Sequence, residues 1–203
     1  GLLYITTGDA SYGHNAQDIN SLAGKILRLH DDGTIPADNP FGNAVYSYGH
    51  RNPQGLAWDE QGQLWSTEHG PSGLGSGYDE LNLIEIGGNY GWPDIQGDQT
   101  RVGMISPRLQ SGGNETWAPG DLEIVDGVAY FTGLRGSTLY SVPLNDIRPE
   151  TLQRHFASEY GRLRALRLGS DGLLYVGTSN RDGRGNIRAG DDKIFRIDPK
   201  QLP

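Results

Sequence analysis

One local pattern limits this chain more than any other. Gly1-Leu2-Leu3-Tyr4-Ile5-Thr6, Gly62-Gln63-Leu64-Trp65-Ser66-Thr67, Asp126-Gly127-Val128-Ala129-Tyr130-Phe131 and Asp171-Gly172-Leu173-Leu174-Tyr175-Val176 each set a glycine ahead of a β-prone run. The glycine suits a hairpin turn that needs positive φ, and the run behind it reads as a strand. A second alternating strand follows every unit: Lys25 to Leu29, Leu81 to Ile84, Thr138 to Val142 and Lys193 to Ile197. Three units also have a strand in front, at Gly55 to Asp59, Leu122 to Val125 and Leu166 to Gly169. The aromatic positions recur at roughly 45 to 65 residues, a blade-like period for a β-propeller with loop insertions. The first unit lacks its leading strand. The pattern therefore predicts an all-β chain holding three fairly complete blades and the second half of one more, about three and a half in total. A β-sandwich assembled from unrelated hairpins is the competing architecture.

Composition agrees with many short strands. Among 203 residues there are 31 glycines and 11 prolines, and apolar residues make up 35%. Such a chain is long enough for one sizeable core and too turn-rich for a helical bundle. It is read as one partial propeller domain over residues 1–203. No apolar run approaches the roughly 18 residues of a membrane span, and Gly1-Leu2-Leu3-Tyr4 does not resemble a signal peptide. There is no cysteine, which excludes disulfides and thiolate metal sites. The formal net charge of -8, without a basic run, argues against nucleic acid as a partner.

Long insertions interrupt the strands at Ala10 to Gly24, Asp32 to Ala44, Pro71 to Tyr78 and Asp94 to Trp117. Loops of this length are usually functional or disordered. Ser72-Gly73-Leu74-Gly75-Ser76-Gly77 reads as a flexible loop within one blade and not as a domain linker.

Several uncommon runs follow one another in order: Tyr48-Gly49-His50-Arg51-Asn52-Pro53-Gln54-Gly55-Leu56, Glu68-His69-Gly70-Pro71, Asp79-Glu80-Leu81-Asn82-Leu83 and Asn89-Tyr90-Gly91-Trp92-Pro93. Together they resemble the signature of the soluble quinoprotein sugar dehydrogenases, the glucose/sorbosone dehydrogenase family. The resemblance covers essentially the whole chain. It implies a six-bladed propeller of the quinoprotein type, pyrroloquinoline quinone (PQQ) and calcium as cofactors, and oxidation of aldoses to lactones. It also implies a small-molecule aldose substrate, an electron acceptor, and a periplasmic or secreted location. PQQ is a planar ortho-quinone with three carboxylates. Such a molecule calls for cationic forks, a hard cation near the quinone oxygens and flat apolar surfaces.

Carried over residue by residue, the resemblance places Arg51 and Asn52 at the quinone, where Arg51 would stabilise charge as hydride arrives. Arg162 and Arg164, two apart on a strand, would point the same way and hold cofactor carboxylates between them. Leu134 stands where the family has a basic contact, with Arg135 beside it. Glu80 and the Tyr90 carbonyl match one calcium site, and the Gly70 and Pro71 carbonyls match the calcium that bridges to PQQ. Oxygen-only ligation of this kind suits calcium and not zinc. His69 occupies a position where the best-known type has Gln. Asp9 matches an aspartate that orients the catalytic histidine.

Each assignment has a plainer counterpart. Arg51 could salt-bridge a surface acid, Arg162 and Arg164 could form a solvated face, Glu80 could stabilise a blade, and Asp9 could cap a turn. The family's general base lies upstream of the position matching Gly1. Neither His50 nor His69 matches it, and His14, His30 and His155 have no site motif around them. A non-catalytic propeller that binds a carbohydrate or a protein is the alternative function. Because an open ring exposes sheet edges, self-association or complementation by further blades is a third expectation.

Overall fold

The computed structural model describes residues 1–73 and 76–202, so Leu74, Gly75 and Pro203, and with them the centre of the glycine-rich loop, lie outside the described residues. Among those described there are fourteen strands, three single-turn 3-10 helices and no α-helix. The strands form four antiparallel sheets in chain order, each a simple meander. The first holds β1 (Leu2–Thr7), β2 (Lys25–His30) and β3 (Val45–Tyr48). The second holds β4 (Pro53–Trp58), β5 (Leu64–Glu68), β6 (Glu80–Ile84) and β7 (Leu109–Gln110). The third runs β8 (Pro119–Val125), β9 (Val128–Gly133), β10 (Leu139–Pro143) and β11 (Gln153–His155). The fourth contains β12 (Leu163–Leu168), β13 (Leu174–Thr178) and β14 (Ile194–Ile197).

All eleven strands expected from the repeat are present, within a few residues of their expected ends. Three others, β3, β7 and β11, lie outside the expected repeat. β7 is two residues inside a long insertion, and β11 is the polar triplet Gln153-Arg154-His155. Each is an outer strand paired to a single neighbour, and Val45 of β3 and Leu109 of β7 are also buried. The expected half blade is thus corrected to a three-stranded sheet. The hairpin glycines behave as anticipated: Gly62, Gly127 and Gly172 have φ of 77°, 73° and 78°. At Asp126-Gly127 both residues have positive φ, as a two-residue turn matched to strand twist requires.

The sheets pack face to face, with apolar clusters between successive blades. Trp117, Phe131 and Tyr140 meet Ala57, Trp65 and Leu81 between the second and third sheets. Leu163, Leu166 and Val176 meet Tyr130 and Leu139 between the third and fourth. Ile26 joins Leu64, Ile84 and Tyr90 between the first and second. The inner strands come very close. A Cβ on Gly55 of β4 would lie 2.5 Å from the Leu122 nitrogen of β8, and one on Gly120 of β8 would lie 2.5 Å from the Arg164 oxygen of β12. Polar ties reinforce this approach: Thr132 donates to the Arg164 carbonyl (3.0 Å), and the Leu166 amide donates to Asp121 (3.0 Å).

The insertion from Ala10 to Gly24 is pinned by a buried cation. Lys25 is fully buried, and its ammonium donates to the carbonyls of Asn15 (2.8 Å), Ala16 (3.0 Å) and Ala23 (2.8 Å). Burial pushes its pKa down to about 8, opposed by the Asp18 charge, so at pH 7 it keeps its three donors. Lys25→Met leaves three carbonyls without their donor, and should cost about 3 kcal/mol in urea denaturation and expose the insertion to protease.

His155 gives a pH signature. It is buried against the Ser141 hydroxyl (2.8 Å), and burial pushes its pKa below the ordinary value. The unfolded imidazole takes a proton near pH ~6.5 while the folded one resists it. This contribution to stability is therefore present above that pH and lost as pH falls through it. His155→Gln should flatten the slope of unfolding free energy against pH below about pH 6.5; an unchanged slope would show that His155 does not titrate on unfolding.

Candidate functional site

The inner ends of β4, β8 and β12 surround a cavity of about 850 Å³. Five arginines reach its lining: Arg51, Arg135, Arg162, Arg164 and Arg184. Asp79 and Asp182 are the carboxylates in the same wall, and Asn52, His69, Gly70, Pro71 and Leu134 complete the part that sequence reading had singled out. A chain of net charge -8 thus gathers guanidiniums around one hollow. This focuses a positive potential where an anion would sit.

Arg51 and Asn52 stand just before β4. The Arg51 guanidinium donates to Ser72 (2.6 Å), while the Asn52 carboxamide oxygen accepts from Gln54 (3.1 Å). Arg162 and Arg164 do converge, and an anion already lies between them. Asp182 accepts from Arg162 Nε (3.0 Å) and Nη2 (2.8 Å) through one oxygen, with Arg164 Nη2 3.5 Å from the same atom. Burial works against this carboxylate, but the Arg184 amide and the Arg162 guanidinium hold its pKa below the usual range. The strict alternation expected of the pair is interrupted, because the β12–β13 ladder slips in register between Leu163 and Ala165.

Leu134 is buried, and its amide donates to the Ala118 carbonyl (2.9 Å). It gives the cavity an apolar surface in place of a cation. Arg135 is exposed and supplies the guanidinium, donating to Ser76 (3.3 Å). Asp9 does not line the cavity. Its carboxylate accepts from the Trp92 indole (2.9 Å) and the Ser11 amide (2.9 Å), and its own amide donates to the Arg51 carbonyl (2.8 Å). No histidine is among its partners in the described residues. The expected orienting contact is therefore not formed within this chain; Asp9 instead braces the back of the Arg51 peptide.

Around the expected calcium ligands, the described residues contain no cluster of three or more acidic, His or Cys side chains at metal-binding spacing. The oxygen donors nevertheless suit a hard cation. Glu80 faces Glu68 across the β5–β6 ladder. Burial, with the Glu68 charge opposite, pushes the Glu80 carboxyl up to about 8. Asn82 donates to Glu80 (3.0 Å), yet its own buried Oδ1 has no partner. Among the described residues the carbonyls of Gly70, Pro71 and Tyr90 accept no hydrogen bond. A carboxylate short of positive charge and several idle carbonyl oxygens are what calcium takes and zinc does not.

Sequence reading passed over Gln54, Thr116, Asp182 and Arg184, which also line the cavity, and gave Asp79 no role. Asp79 is buried and collects amides from both sides of a blade junction: Gly70 (2.9 Å), Trp117 (2.6 Å) and Ala118 (2.9 Å). His69 bridges the same junction by donating from Nε2 to the Pro119 carbonyl (2.7 Å), and burial lowers its pKa. The Asp79 signal was its place beside Glu80 in a signature run. For Asp182 and Arg184 there was only an ordinary polar turn.

With this geometry in view, the relatives are informative. Residues 1–188 match the Glucose / Sorbosone dehydrogenase family, and the chain belongs to it. The PQQ-bound aldose sugar dehydrogenase of Streptomyces coelicolor superposes with a TM-score of 0.88 at 41% identity, over 96% of this chain and 57% of that one. Aldose sugar dehydrogenase YliI of Escherichia coli K12 is 32% identical over 90% of this chain and 55% of its own length. Quinoprotein glucose dehydrogenase B of Acinetobacter calcoaceticus is 43% identical over 50% of this chain and 21% of its own. The fold is part of a propeller of this oxidoreductase family, and the chain spans about half the length of YliI.

Asp79→Ala leaves three amides at a blade junction without their acceptor. A loss of about 3 kcal/mol in stability is expected, measured by denaturant titration.

Proposed function

We propose that the intact protein oxidises aldose sugars to lactones with PQQ and calcium. The observation that carries this reading is the cavity between blades, with five guanidiniums and an apolar Leu134 surface in its lining. Its chemistry fits a flat tricarboxylate. When bound, PQQ supplies an ortho-quinone that takes a hydride from the sugar C1.

The chain's own residues hold and polarise. Arg162, with one edge spent on Asp182, is fixed in direction and offers its remaining Nη1 donors to a carboxylate. Arg164 and Arg135 add charge from the exposed side. Arg51, at the opposite wall, would stabilise negative charge building on a quinone oxygen, and Asn52 would orient the same edge by hydrogen bonding. Glu80 and the Tyr90 carbonyl would hold one calcium, and Asn82, hydrogen-bonded to Glu80, has an unpartnered Oδ1. The Gly70 and Pro71 carbonyls would hold a second at the cavity wall. Removal of the sugar hydroxyl proton needs a base. In this reading Asp9 would steady that base. Turnover would also need an electron acceptor as a partner. No helix of the described residues is long and apolar enough to cross a membrane, and a periplasmic or secreted setting goes with the reading.

The test is reconstitution of the full-length protein with PQQ and Ca²⁺, followed by dye reduction with a panel of aldoses. Sugar-dependent reduction that needs both additions is expected. A folded protein that binds no PQQ would sink the reading, and sugar binding without any change in the quinone spectrum would favour a binding module. Arg162→Ala should weaken PQQ binding by about 10- to 100-fold, the loss of one charge-assisted fork. Absorbance titration measures it.

A further inference from the structure

The signature histidine is not idle. His50 is fully buried, as is Ser47, and Glu68 is nearly so. His50 Nε2 meets the Ser47 hydroxyl at 2.8 Å, and Nδ1 meets Glu68 Oε2 at 2.8 Å. Tyr90 covers the imidazole face, stacked at 4.6 Å with 19° between the planes. The other carboxylate oxygen, Glu68 Oε1, accepts the Arg51 amide in a short hydrogen bond and the Asn52 amide at 3.4 Å. One buried carboxylate thus grips the side chain of residue 50 and the main chain of residues 51 and 52.

The strand geometry explains why these amides need it. Pro53 begins β4 opposite Glu68, and proline has no N–H to give the ladder. The register then slips between Pro53 and Leu56. Arg51 and Asn52 lie just ahead of this break, outside any ladder. Their amides are held by Glu68, with the Asp9 amide on the Arg51 carbonyl from the other side, and Glu68 is held by His50. Both side chains enter the main cavity.

We propose that Glu68 and His50 are positioning residues of the cofactor wall: a buried carboxylate–imidazole–hydroxyl chain that aims Arg51 and Asn52. The proposal rests on the cofactor reading above for its ligand, though not for its geometry. A carboxylate that merely stabilised the blade would lower the melting temperature when altered, without changing affinity in the folded protein. An aiming role predicts a change at the cavity that a conservative replacement restores.

Two readouts on full-length protein test this. In the first, hydrogen exchange at the Arg51 and Asn52 amides is compared in wild type, Glu68→Gln, Glu68→Asp and Glu68→Ala, with PQQ absent. Glu68→Gln keeps an acceptor oxygen, and its amide can donate to His50 Nδ1; near wild-type protection is expected. Glu68→Ala should lose at least tenfold in protection at both amides. In the second, PQQ affinity should follow the same order: within about threefold of wild type for Glu68→Gln and at least tenfold weaker for Glu68→Ala. Glu68→Asp covers the case in which Glu68→Ala does not fold. One methylene shorter, it cannot span from His50 to the Arg51 amide, and a loss of threefold or more is expected. Wild-type exchange and affinity in folded Glu68→Ala or Glu68→Asp overturn the proposal. Wild-type protein that binds no PQQ overturns the cofactor reading instead, while the exchange measurement still decides whether Glu68 orders this peptide.

Discussion

A carboxylate removed from water must be met by donors, and this structure is organised by that requirement. Asp79 draws in amides from Gly70 and from Trp117 and Ala118, so a loop of the second blade and the start of the third share one acceptor. Asp121 reaches from the third blade to the Leu166 amide of the fourth. Glu68, within the second blade, accepts the Arg51 and Asn52 amides at the entry to β4. Apolar clusters hold the sheets face to face, but they are not directional. Glu68 and Asp79 hold the backbone just ahead of β4 and β8, and Arg51, Asn52 and Ala118 at those points line the cavity.

The cavity inherits its character from this arrangement. Its carboxylates face inward, to amides at Asp79 or to guanidiniums at Asp182, whereas five guanidiniums reach its lining. An acidic protein thereby presents a basic hollow without a basic surface. Its convergent arginines suit a ligand that carries several carboxylates.

Much of this was legible in the residues, and the rest was hidden for physical reasons. The glycine turns and the runs behind them located eleven strands, because a tight turn and an alternating half-buried strand each leave a local mark. β7 and β11 leave none, since strands of two and three residues are too short to show an alternation. Signature runs brought Arg51, Asn52, Glu80 and Tyr90 forward. Arg162 and Arg164 came forward by the resemblance and their spacing, but the carboxylate between them did not, because Asp182 lies eighteen residues beyond Arg164 in an ordinary turn. Spacing shows which side chains share a strand; it is blind to what a distant loop lays across them. Leu134 shows the converse: its departure from the expected cation was plain in sequence, and its use as an apolar wall needed the fold.

The bare inner strands at Gly55 and Gly120 have a geometric meaning for the whole ring. In a radial array the angle between neighbours is fixed by how near they come at the hub. Here that distance is set by the absence of a side chain against the Leu122 nitrogen and the Arg164 oxygen. A methyl group at either glycine would act as a wedge at the narrow end of a fan. It would move the neighbouring blade most at its rim, and it would part Arg51 from Arg164 across the hollow between them. How many blades close the circle, and whether its two walls are near enough to share one ligand, is thus written partly in two missing Cβ atoms.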